Sequence, residues 1–167
     1  MSDTKPRTKE TYEAALQRLL GRSIRRVSYV ELDYGNDESE WNKRSVFFDS
    51  LDHGFEWWLD DGSVCSCIWG WEFAAHEVSI AFSSIDATGR RWDVTERWHE
   101  RGLLENRITK IQVDWWQASA RLYPQSVCIR FSSGASIVVS AYEEGRVQAD
   151  HITVFFDEAE AARLVRR

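Results

Sequence analysis

Apolar runs and polar turns alternate along most of the chain, and one strand–turn–strand arrangement occurs twice. The first copy runs Phe55-Glu56-Trp57-Trp58-Leu59, then Asp60-Asp61-Gly62-Ser63, then Val64-Cys65-Ser66-Cys67-Ile68-Trp69. The second runs Val127-Cys128-Ile129-Arg130-Phe131, then Ser132-Ser133-Gly134-Ala135, then Ser136-Ile137-Val138-Val139-Ser140-Ala141. Runs of β-branched and aromatic residues about a polar pair and a glycine predict a hairpin, because glycine takes the positive φ that reverses the chain tightly. Gly62 and Gly134 lie 72 positions apart, and Phe55/Val127, Leu59/Phe131, Cys65/Ile137, Cys67/Val139 and Trp69/Ala141 keep that spacing.

The correspondence extends outward. Leu19-Leu20 and Ile24 match Leu103-Leu104 and Ile108 at a spacing of 84, and Val78, Ile80 and Phe82 match Ile152, Val154 and Phe156 at 74. This pattern predicts an internal repeat over about 20–83 and 104–156, four strands in each copy with a helix before it. A repeat of two is not a solenoid, which stacks three or more units.

Residues 9–20 carry Tyr12, Ala15, Leu16, Leu19 and Leu20 at helical spacing, with Thr8 as N-cap and Gly21 as C-cap. Strands are expected over 24–33, 45–48, 54–71 (the hairpin), 77–83, 108–117, 126–131, 135–142 and 151–156. Thr88-Gly89-Arg90-Arg91 reads as a turn, and 95–101 as a short helix ended by Gly102. Asp157 caps a final helix with Ala161, Leu164 and Val165 on its inner side. The expected class is α+β: mostly antiparallel β, two pseudo-repeated four-stranded meanders with N-terminal, bridging and C-terminal helices. No low-complexity linker divides the halves, so 1–167 reads as one domain with 1–8 disordered.

Composition narrows the classes. The chain has 167 residues, 43% hydrophobic, with nine Trp and a net charge of −6. That charge disfavours binding to phosphates and to anionic membrane surfaces, so neither nucleic acid nor membrane is an expected partner. No apolar run approaches the ~20 residues of a spanning helix, and the first residues lack a signal-peptide core. Cys65, Cys67 and Cys128 show no metal-ligand spacing and read as small buried hydrophobes of a reducing cytoplasm.

No nucleophile elbow, phosphate-binding loop, dinucleotide fingerprint or zinc-protease motif is present. Asp60-Asp61 and Glu143-Glu144 are adjacent pairs, which on a strand point to opposite faces and make no dyad. The expectation is a protein that is not an enzyme and takes neither cofactor nor metal.

Charge is uneven. Residues 31–61 hold ten acids and two bases, a local net of −8, and leave +2 for the rest of the chain. The change of repeat spacing from 84 to 72 places 12 extra residues of the first copy in the same window, around 34–44. Loops on a rigid scaffold commonly carry function. The expected partner-binding residues are therefore Asp33, Tyr34, Asp37, Glu38, Glu40, Trp41, Asp52, Glu56, Trp57, Asp60 and Asp61. Alternation along a strand also turns one of Trp57-Trp58, and one of Trp115-Trp116, away from the core, where an indole beside carboxylates suits an interface anchor.

A small acidic chain with Trp-rich strands and an acid-rich loop resembles the bacterial immunity proteins of contact-dependent and polymorphic toxin systems. The segments 54–63, 69–72 and 150–157 carry the resemblance, which spans about 20–157. It implies a cytoplasmic protein that neutralises a toxin, with an acidic, Trp-containing surface occluding the active site of a basic partner. The alternatives are a small-ligand module, in which Trp57, Trp69 or Trp115 stacks on a sugar or base, and a structural or assembly protein using exposed sheet edges.

Overall fold

A computed structural model describes residues 8–32, 45–70, 73, 77–86, 89–118, 120–143, 146–147 and 150–165. Thr8 opens helix α1 (Lys9–Gln17) through a reciprocal capping box with Thr11. The strands are β1 (Ile24–Glu31), β2 (Phe48–Leu51), β3 (Gly54–Leu59), β4 (Val64–Gly70), β5 (Glu77–Ala81), β6 (Arg90–Asp93), β7 (Ile108–Ala118), β8 (Arg121–Phe131), β9 (Ser136–Ser140), β10 (Tyr142–Glu143), β11 (Arg146–Val147) and β12 (Ile152–Phe155). Helix α2 (Thr95–His99) lies between the halves, and α3 (Glu158–Val165) closes the chain, its first turn held by the Asp157 carboxylate. The architecture is α+β and mostly antiparallel.

Two five-stranded sheets form, in the orders β5-β4-β3-β1-β6 and β2-β12-β9-β8-β7, with β10-β11 as a small separate pair. Within each half, the four main strands follow one another in the same antiparallel order. The strands alternate between faces, with register irregularities between Ile24 and Arg26 and at two points of β7–β8. Val27, Tyr29, Phe55, Trp57, Cys65, Cys67, Val78 and Ile80 of one sheet share a continuous core with Val127, Ile129, Ile137, Val139, Ile152 and Val154 of the other. Burying the large residues of this set, at about 1.5–3 kcal/mol for each, is what holds the sheets face to face. Tyr12 of α1 and Trp98 of α2 enter the same core. On the opposite face of the second sheet, Ala161 and Val165 of α3 pack on Val138 and Phe155.

The halves also match in hydrogen bonding. Leu59 N–H donates to Ser63 O at 2.9 Å and Gly62 N–H to Leu59 O at 3.0 Å; Phe131 to Ala135 and Gly134 to Phe131 repeat the same two distances. Each hairpin is thus a three-residue loop with its glycine at positive φ, 82° and 88°. Where the halves meet, Ser23 and Arg107 form an antiparallel bridge, and these residues correspond at the 84 spacing. Around it, Gly21 N–H donates to Ile108 O and Glu105 N–H to Ile24 O, two bonds that the same spacing exchanges. Gly21 and Glu105 also correspond, and both have positive φ, 77° and 62°. These equivalences place a local pseudo-twofold axis at the Ser23–Arg107 bridge.

Three segments differ from the sequence expectation. The short strand expected over 45–48 is displaced to Phe48–Leu51, and it leaves its own half to pair with β12. Its alternation explains the transfer: Leu51 enters the common core while Phe48 meets Phe155 at 5.7 Å on the α3 side. The expected turn at 88–91 overlaps β6, which pairs with β1, because Trp92 turns toward the core and Arg91 toward a buried carboxylate. Strand β8 begins at Arg121 and carries Pro124 opposite Trp115. Proline is tolerated there because β9 pairs with β8 only from Ser126 onward.

Candidate functional site

The described acids of the window do not share one surface. Asp33, Tyr34, Asp37, Glu38, Glu40 and Trp41 lie outside the described residues. Asp49, Asp52 and Glu56 are buried, each beside a cationic side chain or histidine from outside the window. Asp49 is fully enclosed between the sheets, where it accepts from Tyr29 Oη at 2.6 Å and takes the Arg97 guanidinium through both oxygens. Trp98 Nε1–H donates to Tyr29 Oη at 2.9 Å, which completes a chain from β2 through β1 to α2. Burial first, and the Asp49 charge second, push the Tyr29 hydroxyl well above its ordinary pKa.

Glu56 sits on the outer face of β3, covered by the segment after β5. It accepts from Ile85 N–H at 2.6 Å and is ion-paired with Arg91, whose other nitrogen donates to Ile85 O at 2.7 Å. Asp52 approaches His151 Nε2 at 2.8 Å. Trp57 is wholly buried against Phe55 and Trp98. Asp52, Glu56 and Trp57 are therefore removed from the expected partner surface: their side chains face inward or lie beneath chain that covers them. A buried carboxylate needs a partner of opposite charge, and for Glu56 Arg91 supplies it.

Asp60 and Asp61 do stand at the surface, in the loop of the first hairpin. Asp60 accepts from Ser23 Oγ at 3.2 Å, and Arg22 lies 3.1 Å from Asp61. Two hydrogen bonds from Ser63 to Asp61 hold that carboxyl below the usual range. The tryptophans sort by strand parity. Trp58 turns outward from Trp57, but Arg26 lies over its ring at 4.9 Å. Trp115 turns inward and donates from Nε1 to Glu13 at 2.8 Å, in edge contact with Tyr12. Trp69 donates to Asp52 O at 2.9 Å. The stacking positions of the small-ligand alternative are thus engaged within the fold.

Among the described tryptophans, Trp116 is the exposed one. It stands 43% accessible on the outer face of β7, with its register partner Tyr123 edge-on at 6.4 Å. From Trp116 a groove runs between the outer faces of β7 and β8 and helix α3. It consists of two adjoining concavities of about 240 and 360 Å³ that share Asp114 and Val165. Ala159, Ala161 and Ala162 make the helix wall shallow, and Trp116 and Gln125 line the smaller concavity. Sequence reading anticipated an outward indole at Trp115-Trp116 but not the groove, since only α3 packing on β9 and β12 creates it.

The far end of the groove is closed by Arg130, which donates from Nε and Nη2 to the Glu158 carboxylate at 3.0 and 2.9 Å. Arg130 draws the Glu158 carboxyl down to about 2. Burial, with Glu158 beside it, raises the Cys128 thiol to about 11. Cys65 and Cys67 are buried in the core, whereas Cys128 is half-buried in this groove, which corrects the expectation that all three are buried. At pH 8 only about one Cys128 in a thousand is thiolate. A chromogenic disulfide reagent should therefore label one thiol per native molecule, slowly, with a rate that rises about tenfold per pH unit. Immediate labelling of all three contradicts the placement.

No family model, curated protein or solved structure matches this chain.

Proposed function

We propose that this chain is a binding protein that neutralises a cognate toxin by covering its active site, and that the partner presents a basic surface. The observation that supports this reading is Trp116, an exposed indole at the mouth of a groove whose wall includes the Asp114 carboxylate. Large exposed aromatics ringed by polar groups are the usual anchors of protein interfaces. The 33–41 segment contributes long-range attraction, with Asp33, Asp37, Glu38 and Glu40 as its acids and Tyr34 and Trp41 as its aromatics. Asp60 and Asp61 add two partly exposed carboxylates, both beside Arg22, at the first hairpin loop. Surface acids of this kind act mainly on the association rate, and the anchor acts on dissociation.

The test is co-expression in bacteria with toxin domains that carry a basic active-site cleft. Growth should be restored by the chain, and the purified pair should associate more slowly as salt rises. Changing Asp37, Glu38 and Glu40 together to Asn, Gln and Gln should slow association by about tenfold at low salt and leave the unfolding midpoint unchanged. Unaltered association and salt dependence would leave that segment no part in recognition.

A further inference from the structure

A second surface, which shares no residue with the Trp116 groove, lies where the chain entering β2, the end of β12 and the turn after α2 meet. Val46 and Phe47 stand 76% and 48% exposed there. Phe156 N–H donates to Phe47 O at 2.8 Å, which fixes this apolar pair beside the end of β12. The Arg101 guanidinium lies over the Phe156 ring at 4.0 Å and reaches Val46 O at 3.4 Å. Arg101 and Phe156 also line a concavity of about 310 Å³ with Leu103, Ala135 and Ser136, and Glu100 is its other charged member.

Arg101 differs from the arginine beside it. Arg97, 5.7 Å from the same Phe156 ring, is held by both oxygens of Asp49. Arg101 meets no carboxylate within ion-pair distance among the described residues, and its one hydrogen bond is long. Glu100 is exposed and does not pair with it. Burial first, and the Arg97 charge second, hold the Arg101 guanidinium below its ordinary pKa, as for a cation whose charge lacks full compensation. A guanidinium carries five N–H donors in a flat fork that matches a carboxylate. Stacking on Phe156 holds that fork in place, and arginine and aromatic side chains are the residues enriched in protein interfaces. We propose that this surface docks an acidic segment of a protein partner, with a Glu or Asp carboxylate on Arg101 and the flanking apolar side chains against Val46 and Phe47. It is a second contact, opposite in chemistry to the Trp116 surface and independent of it.

The test uses the isolated protein. The blocked peptide acetyl-Phe-Glu-Phe amide and its neutral analogue acetyl-Phe-Gln-Phe amide are titrated into ¹⁵N-labelled protein, with the Arg101 Nε–H and the Phe47 amide as reporters. The acidic peptide should shift both signals saturably, with a Kd on the order of millimolar, and the neutral one should bind at least about tenfold more weakly. Arg101→Gln should abolish that difference, and Phe47→Ser should weaken both peptides alike. Glu100→Gln removes a like charge from the wall and should tighten the acidic peptide about twofold, an effect that a purely structural Arg101 would not produce. If Arg101→Gln loosens the fold, the two exposed-site variants carry the test. Equal binding of the two peptides, no shift at about 20 mM, undiminished selectivity in a folded Arg101→Gln protein, or weaker acidic binding in Glu100→Gln overturns the proposal. Sodium phenylacetate distinguishes the source of the carboxylate. It should bind more weakly than the acidic peptide, and binding as tight as the peptide overturns partner docking in favour of a small organic acid.

Discussion

Replacing Asp49 by Ala should cost about 3 kcal/mol of stability, more than any surface carboxylate of the same acidic window. Asp49 is fully buried and takes both the Tyr29 hydroxyl and the Arg97 guanidinium, whose side chain is only 20% exposed. Removing the acceptor leaves the arginine without its main counter-charge and a buried hydroxyl without its acceptor. Breaking one side of a buried pair typically costs about 3–5 kcal/mol, and the partial exposure of Arg97 puts this case at the lower end. Asp49→Asn keeps an acceptor for Tyr29 and loses the charge, so it should fall between the two. Urea unfolding of the three proteins with unchanged slopes measures the difference directly. A loss under 1 kcal/mol for Asp49→Ala would mean that the β2–β1–α2 chain carries little of the fold.

Trp98→Ala is the second large effect, expected at about 3–5 kcal/mol. The indole is fully buried and meets Phe55, Trp57 and Phe156 at centroid distances of 6.0, 5.9 and 5.9 Å. It also donates to Tyr29 Oη, so Trp98→Phe should retain most of the packing and lose about 1–2 kcal/mol. Asp49 and Trp98 meet through one hydroxyl. Their double mutant should therefore be less destabilised than the sum of the single changes, as expected for neighbours in one network. Strict additivity would show that the hydroxyl does not couple them.

Much of the fold was legible because period-two alternation and turn chemistry are local signals. The hairpins at Gly62 and Gly134, the Thr8 and Asp157 caps and the matching Leu19 and Leu103 positions all depend on residues within a few places of one another. What was not legible depends on distant partners. Strand β2 reads as a weak extended segment and finds its place only beside β12, about a hundred residues later. Strand β6 was hidden by a Gly-Arg-Arg sequence that looks like a turn until Glu56 is seen to need Arg91.

The same limit governs the site. A run of acids in sequence carries no sign of which carboxylates are buried, and Asp49, Asp52 and Glu56 are enclosed beside Arg97, His151 and Arg91. The +2 balance of the remaining chain was the available hint, since a locally acidic window in a folded chain finds part of its compensation elsewhere. For the tryptophans, parity correctly paired each outward indole with an inward one. It did not distinguish Trp58, covered by Arg26, from Trp116, left exposed at a groove mouth.

The central claim is that recognition rests on the outer face of β7 and β8, with Trp116 as its anchor. The most direct measurement is the dissociation rate of the complex between the partner toxin and the Trp116→Ala protein, with thermal unfolding of the variant as control. Loss of a central anchor worth about 2 kcal/mol should speed dissociation roughly thirtyfold, with little change in association rate or unfolding midpoint. An unchanged dissociation rate in a fully folded variant would contradict the claim.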